Sequence, residues 1–231
     1  MRMYTMFTES HRQMMYDYFL PSLIPNEYLL TVKQFPQIGS GTFMTPGFAE
    51  TVTHTFNILL DAIDENYGGY FVFSDCDIQF FGPTKAILLE AIDDCDLAAQ
   101  KDSGSTLCTG FFICRANDTM KEVFKKCIEL MERSKGRRYG DQDAVNECRG
   151  IFQGNDQDAV NNHNSLFRWK LLDAKQFWCP RRIWKPGHGL NVPRNILMHH
   201  ANWTMGVPNK IAMLQYVKGV IEQSKVEEAG A

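Results

Sequence analysis

The sequence predicts an α/β fold: a mainly parallel, Rossmann-like sheet flanked by helices, with a ligand site at the C-terminal ends of its strands. Three observations lead there. Short apolar runs alternate with segments of helical periodicity, the pattern of a parallel sheet covered on both faces. One run, Tyr70–Ser74, follows Gly68-Gly69 and ends in Asp75-Cys76-Asp77, after which apolar residues resume. Open α/β sheets bind ligands beyond the carboxyl ends of their strands, which is where this acidic pair falls.

The elements follow in order. Met3–Phe7 reads as the first strand and Glu9–Leu20 as a short helix stopped by Pro21. Tyr28–Val32 is a second strand, and 34–46, with two prolines and two glycines, a loop. Ala49, Val52, Phe56, Leu59, Leu60 and Ile63 recur at helical spacing and predict an amphipathic helix over 48–65. After the acidic strand, Gly82-Pro83 turns the chain into a helix at Thr84–Ile92. Asp96–Ala99 and Thr109–Cys114 are strands. Thr119 and Glu122 form a capping box that opens a helix with Met120, Val123, Phe124, Cys127, Ile128 and Met131 on one face. A mixed segment spans 136–165. Phe167–Leu172 and Lys175–Trp178 are expected to pair as strands, Ile196–His199 to form the last strand and Pro208–Ile221 the last helix. One domain is expected over 1–222, with 223–231 a flexible tail or a linker to further domains of a longer chain.

Composition excludes several classes. With 44% hydrophobic and 12% aromatic residues, the 231-residue chain can bury a sizeable core. A net charge of −3 offers no basic surface for nucleic acid. No apolar stretch reaches the ~18 residues of a membrane span. Met3–Phe7 followed by polar residues is not expected to be a secretory signal. Seven cysteines, an odd number without Cys-x-x-Cys, read as reduced thiols of a cytoplasmic protein. The sequons at Asn117 and Asn202 are then chance matches. Neither a dinucleotide glycine fingerprint nor a P-loop occurs.

Chemistry concentrates at a few points. Two carboxylates at a buried strand tip are unfavourable without positive charge, and a divalent cation with few protein ligands usually also binds phosphate. His199-His200-Ala201-Asn202 follows the last strand, and a neutral imidazole can complete such a cation's shell. Gly206 lets backbone approach a phosphate, and Lys210 near a helix start adds charge. Asp102 and the Thr109-Gly110 strand start could grip sugar hydroxyls. Asp141-Gln142-Asp143-Ala144-Val145-Asn146 recurs as Asp156-Gln157-Asp158-Ala159-Val160-Asn161, and only one copy can occupy a given place in a site. Each feature also has a plain reading: helix caps, a satisfied histidine pair, a surface lysine.

Taken together, the strand ending in Asp75-Cys76-Asp77, the Thr109–Phe112 strand, the Asp-Gln-x-x-x-Asn segment and the late His-x-Asn…Gly…Lys resemble the nucleotide-diphospho-sugar transferases, glycosyltransferases of the GT-A fold. The resemblance runs from the first strand to about Lys210 and looks greatest to domains encoded by large algal DNA viruses. It implies transfer of a sugar, with retention, from a UDP-sugar to a glycan or glycoprotein acceptor. It implies Mn²⁺ or Mg²⁺ held by Asp75, Asp77 and His200, the last preferred to His199 by spacing. Gly206 and Lys210 would hold the diphosphate, and Thr5, Phe7 and Thr8 would lie along the nucleoside. Asp102 would bind the donor, and Asp156, Gln157 and Asp158 would steady the reacting sugar; this second copy is preferred because it leads into the next strand pair. Three readings compete with a transferase of sugars: a nucleotide-sugar hydrolase, a non-catalytic sugar-binding module and a nucleotidyltransferase. The last is disfavoured because Thr8–Arg12 contains no glycine.

Overall fold

In the computed structural model, which describes residues 1–42, 45–135, 138–150 and 165–229, the apolar runs form two sheets. The strands are β1 (Arg2–Phe7), β2 (Leu29–Gln34), β3 (Tyr70–Ser74), β4 (Ile78–Phe80), β5 (Leu97–Lys101), β6 (Leu107–Arg115), β7 (Trp169–Leu171), β8 (Phe177–Trp178) and β9 (Met198–His200). Six of them form a sheet in the order β2-β1-β3-β6-β5-β7. β1 runs parallel to β2 and β3, and β5 parallel to β7, whereas β6 is antiparallel to both of its neighbours. The remaining strands form a small sheet, β4-β9-β8.

The six-stranded sheet is buried on both faces because its strands alternate apolar residues to each side. From β3, Phe71 and Phe73 enter one cluster while Val72 enters the other. From β6, Phe112 and Cys114 take the first face, and Phe111 and Ile113 the second. Helices α2 (Phe48–Glu65), α4 (Asp118–Arg133) and α5 (Asp141–Cys148) cover the first face through residues such as Phe56, Leu59, Phe124 and Val145. Met15, Phe19 and α3 (Lys85–Ala91) cover the second. A third cluster joins the long last helix α6 (Val207–Ala229) to Trp184, Leu190 and Ile196.

Several elements differ from expectation. The segment after β1 is a 3₁₀ turn at Glu9–His11 and a π-helical stretch at Met14–Phe19. It runs on into α1 (Leu20–Ser22). The run ends at Ser22, one residue beyond Pro21 and not at Leu20. The cap of α4 is Asn117, whose side chain accepts from the Met120 N–H at 2.9 Å; Thr119 is already inside the helix. The strands expected to pair with each other go to different sheets. β7 lies beside β5 and β8 beside β9, because Asp173–Gln176 make a turn with Phe177 N–H on Asp173 O rather than a hairpin. α6 continues past Ile221 to Ala229, into the segment expected to be a tail. Inside the mixed segment, α5 is fixed by buried Asn146. Its side chain accepts from Leu107 N–H and donates to Leu107 O, each at 2.9 Å, as a neighbouring strand would.

Asp96 shows how the β5–β7 edge is held. Its buried carboxylate accepts from Arg168 N–H (3.0 Å), Arg168 Nε (3.2 Å) and Asn117 Nδ2 (3.0 Å). Burial opposes its charge, but the Arg168 and Asn117 donors outweigh burial and hold the pKa below the ordinary aspartate value. A carboxyl depressed in the folded state stabilises above its unfolded pKa and loses that contribution as pH falls through the folded one. Arg168 is largely exposed, so the ion pair itself adds little. We therefore expect Asp96→Ala to lower unfolding free energy by roughly 1–3 kcal/mol at neutral pH. Urea melts should show the difference from wild type shrinking below about pH 4.

Candidate active site

The site starts from where β3 stops. Its last apolar residues carry the chain out of the core, and Asp75-Cys76-Asp77 turns it into β4. Asp75 N–H donates to Gly110 O of β6 at 2.7 Å, and Asp77 O accepts from Ala201 N–H at 3.0 Å. Cys76, between them, is buried in the core. The register that pairs Ile78 with His200 brings the histidine to the acidic turn. His200 Nε2 lies 3.3 Å from Asp77 Oδ1 and 3.9 Å from Asp75 Oδ2. Potential ligand atoms of all three residues lie within 4.8 Å of one another.

His199 points the other way, as strand alternation requires. It is fully buried near the Trp178 ring, with centroids 5.2 Å apart, and neither ring nitrogen has a partner. Burial pushes its pKa down to about 3.

The charges are unequal. Asp75, on the cleft floor, has its carboxyl pushed up to about 7 by burial and by Asp77 beside it, although cleft water still reaches its side chain. The Asp77 side chain is 6% exposed; burial opposes its charge, yet the Lys210 ammonium holds it well below the ordinary range. Lys210 Nζ donates directly to Asp77 Oδ2. Burial works against the ammonium, but Asp77 overrides it and raises the lysine pKa. Lys210 sits in the first turn of α6, its N–H on Gly206 O at 3.1 Å, and Gly206 has the left-handed φ of +83°.

Two further residues shape this centre: Gln100, which the sequence reading passes over, and Gly110, read there only as part of a sugar-gripping strand start. Gln100 Oε1 sits 2.8 Å from His200 Nδ1, and its Nε2 donates to Phe177 O at 3.3 Å. That second bond orients the amide so that Nδ1 carries the imidazole proton, leaving the Nε2 lone pair facing two carboxylates. Such a convergence of electron pairs is repulsive unless a cation joins it. The donor set of two carboxylates and one imidazole suits a divalent metal of the Mg²⁺ to Mn²⁺ type. Gly110 is the other: a Cβ there would come within 2.4 Å of His200 Cε1 and 2.6 Å of Asp75 Oδ2.

Around the centre lies a cleft of about 520 Å³. Phe7, Thr8, Asp102, Gly206 and Lys210 line it. Thr5 does not: it is fully buried one step deeper in the sheet, opposite Val32 of β2. Asp102 Oδ1 accepts from Asn202 Nδ2 at 3.2 Å and Trp203 Nε1 at 2.8 Å, tying the loop after β9 to the end of β5. Asp141, Gln142 and Asp143, the first copy of the repeated motif, line the cleft; Asp141 accepts from the Thr109 hydroxyl at 2.8 Å. Asp156, Gln157 and Asp158 lie outside the described residues. The sequence reading also passes over His11, which borders the cleft with Nδ1 2.8 Å from the Ser10 hydroxyl and a pKa lowered by burial.

An acidic pair, an imidazole and a helix-start lysine at the carboxyl edge of such a sheet define an α/β transferase of the GT-A class, and comparison with solved structures supports that fold. A glycosyltransferase involved in glycosylation of the major capsid of PBCV-1 superposes with a TM-score of 0.60 at 10% identity. The match covers 93% of this chain and 100% of that one. The galactosyltransferase LgtC in complex with donor and acceptor sugar analogs gives 0.50 at 12% identity, over 87% and 86% of the two chains. The family model for nucleotide-diphospho-sugar transferases matches residues 12–214, so the chain belongs to that family. No curated protein matches it.

The geometry yields two tests. Gly110→Ala should abolish high-affinity Mn²⁺ binding, read by calorimetry, while circular dichroism shows a folded protein. Gln100→Leu should weaken the ion roughly 10–100-fold by freeing the imidazole tautomer.

Proposed function

We propose that this protein is a metal-dependent glycosyltransferase that takes a UDP-sugar as donor and a glycan or glycoprotein as acceptor, with retention at the anomeric carbon. The observation that carries the reading is the convergence of Asp75, Asp77 and His200 beside a half-buried Lys210 at the start of α6. A bound Mn²⁺ or Mg²⁺ would supply Lewis-acid stabilisation of the diphosphate leaving group.

The chain's own groups do the rest. Phe7, Thr8 and His11 flank the nucleoside end of the cleft. Gly206 allows close backbone approach, and the first turn of α6, which holds no acidic residue, presents N–H groups and a positive dipole to phosphate. Lys210 exchanges Asp77 for diphosphate oxygens as the bond to the anomeric carbon breaks and negative charge gathers on them. Asp141 and Gln142 face the reacting sugar; the copy at 156–158 carries the same chemistry. A carboxylate and an amide carbonyl stabilise positive charge developing on the ring, which suits retention without an obvious covalent nucleophile. All seven cysteines are free and buried, which suits work in a reducing compartment such as the cytoplasm.

Asp77→Asn should eliminate Mn²⁺-dependent binding of a UDP-sugar in calorimetry. Unchanged affinity would refute the metal's role. Lys210→Ala should weaken UDP by roughly 10²-fold or more while leaving uridine within a few-fold, because only the diphosphate meets the ammonium. Equal losses for both would remove Lys210 from the phosphate site.

A further inference from the structure

The loop between His200 and Gly206 carries a residue that donor binding leaves without a role. Trp203 adopts φ +61°, a left-handed conformation that bulky side chains rarely hold. Two side chains over-determine it. Asn202 Oδ1 accepts from the Trp203 N–H at 2.8 Å, and the buried Asp102 carboxylate accepts from the indole N–H, also at 2.8 Å. Yet the residue is 40% exposed. A large aromatic is thus locked by one edge while part of its surface is left in water. Strain retained at such a place points to use of the ring.

Other apolar residues that line the cleft share the character. Ile183 is 62% exposed and Met205 44% exposed, and both line the same cleft as Trp203. Gln142 and Asn202 border the cleft as well and supply polar groups. An apolar platform beside amide groups matches a pyranose ring, which has a C–H face and a rim of hydroxyls. Aromatic faces are electron-rich and attract the polarised C–H bonds of such a face.

Position decides which sugar. Trp203 is tied to Asp102, just beyond β5, whereas the nucleoside end is built on β1 and α2. β1 and β5 lie on opposite sides of the β3–β6 pair that carries the metal-binding turn. The platform therefore stands on the side away from the nucleoside. It is also solvent-exposed, whereas Asp77 and His200 are buried. A donor seated against those residues would leave it open to the molecule that enters second. We propose that Trp203, with Ile183 and Met205 lining the same cleft, is the acceptor subsite and binds the apolar face of an acceptor hexopyranose; this rests on the protein being a glycosyltransferase.

The test uses the full chain with UDP and Mn²⁺, titrated with methyl α- and β-glycosides of glucose, galactose and mannose. Binding is followed by saturation-transfer NMR, and UDP affinity by calorimetry. At least one glycoside should bind wild type, with saturation concentrated on the C–H protons of one ring face. Trp203→Thr should weaken it at least 10-fold while UDP affinity stays within 2-fold, and Trp203→Phe should restore most of the affinity. Wild type that binds UDP but no glycoside overturns the subsite alone, as does equal glycoside affinity in Trp203→Thr. A parallel fall in UDP affinity would make Trp203 a nucleotide contact and also overturns it. Failure of UDP and Mn²⁺ to bind wild type sinks the glycosyltransferase reading, and the inference with it.

Discussion

Everything in this molecule's cleft is arranged around two carboxylates that cannot both be charged at a sheet edge without help. Asp75 and Asp77 leave the same strand, and their pKa values move in opposite directions. The difference is Lys210, which reaches Asp77 directly. Reversal of β6 places Gly110 against the turn, where any side chain would collide with it. The small sheet sets His200 against the acids. Gln100 then directs the imidazole's lone pair into the same space. Strand order, one glycine, one buried amide and a helix start all answer a single electrostatic problem.

The family places this chemistry among sugar transferases, and the structural matches at 10–12% identity show that topology persists where sequence does not. Fold alone never specifies reaction. Here the functional reading rests on which atoms meet: acceptor oxygens and one nitrogen at the centre, and a cationic helix start next to them.

Much of this is legible in the amino-acid sequence. The apolar run stopping at Asp75-Cys76-Asp77 marks both a strand and a site, because carboxylates at that point have no cheap structural explanation. Helix α2 appears at its full extent because its apolar periodicity is unbroken. The failures are those of local signals with long-range causes. Thr119 looks like the cap, and only the folded α4 shows Asn117 in that place. β7 and β8 look like a hairpin, yet the sheets they join are decided by Leu97 and Met198, distant in sequence. Gln100 looks like an ordinary strand residue; a glutamine among apolar neighbours is the only clue to its bond with a histidine 100 positions away. Thr5 looks equivalent to Thr8 because strand spacing cannot tell how deep in the sheet a cleft ends.

The cleft draws on β1 at the start of the chain, on β3 and β6 in its middle, and on α6 near its end. No fragment that stops short of α6 contains it. Affinity for the proposed ion would consequently read out complete assembly: detachment of the last helix removes the ammonium from Asp77 and exposes the acids to bulk water. An ion that recognises only the finished arrangement favours it by mass action. Such an ion would thus resist the opening of α6 as well as act at the acidic turn.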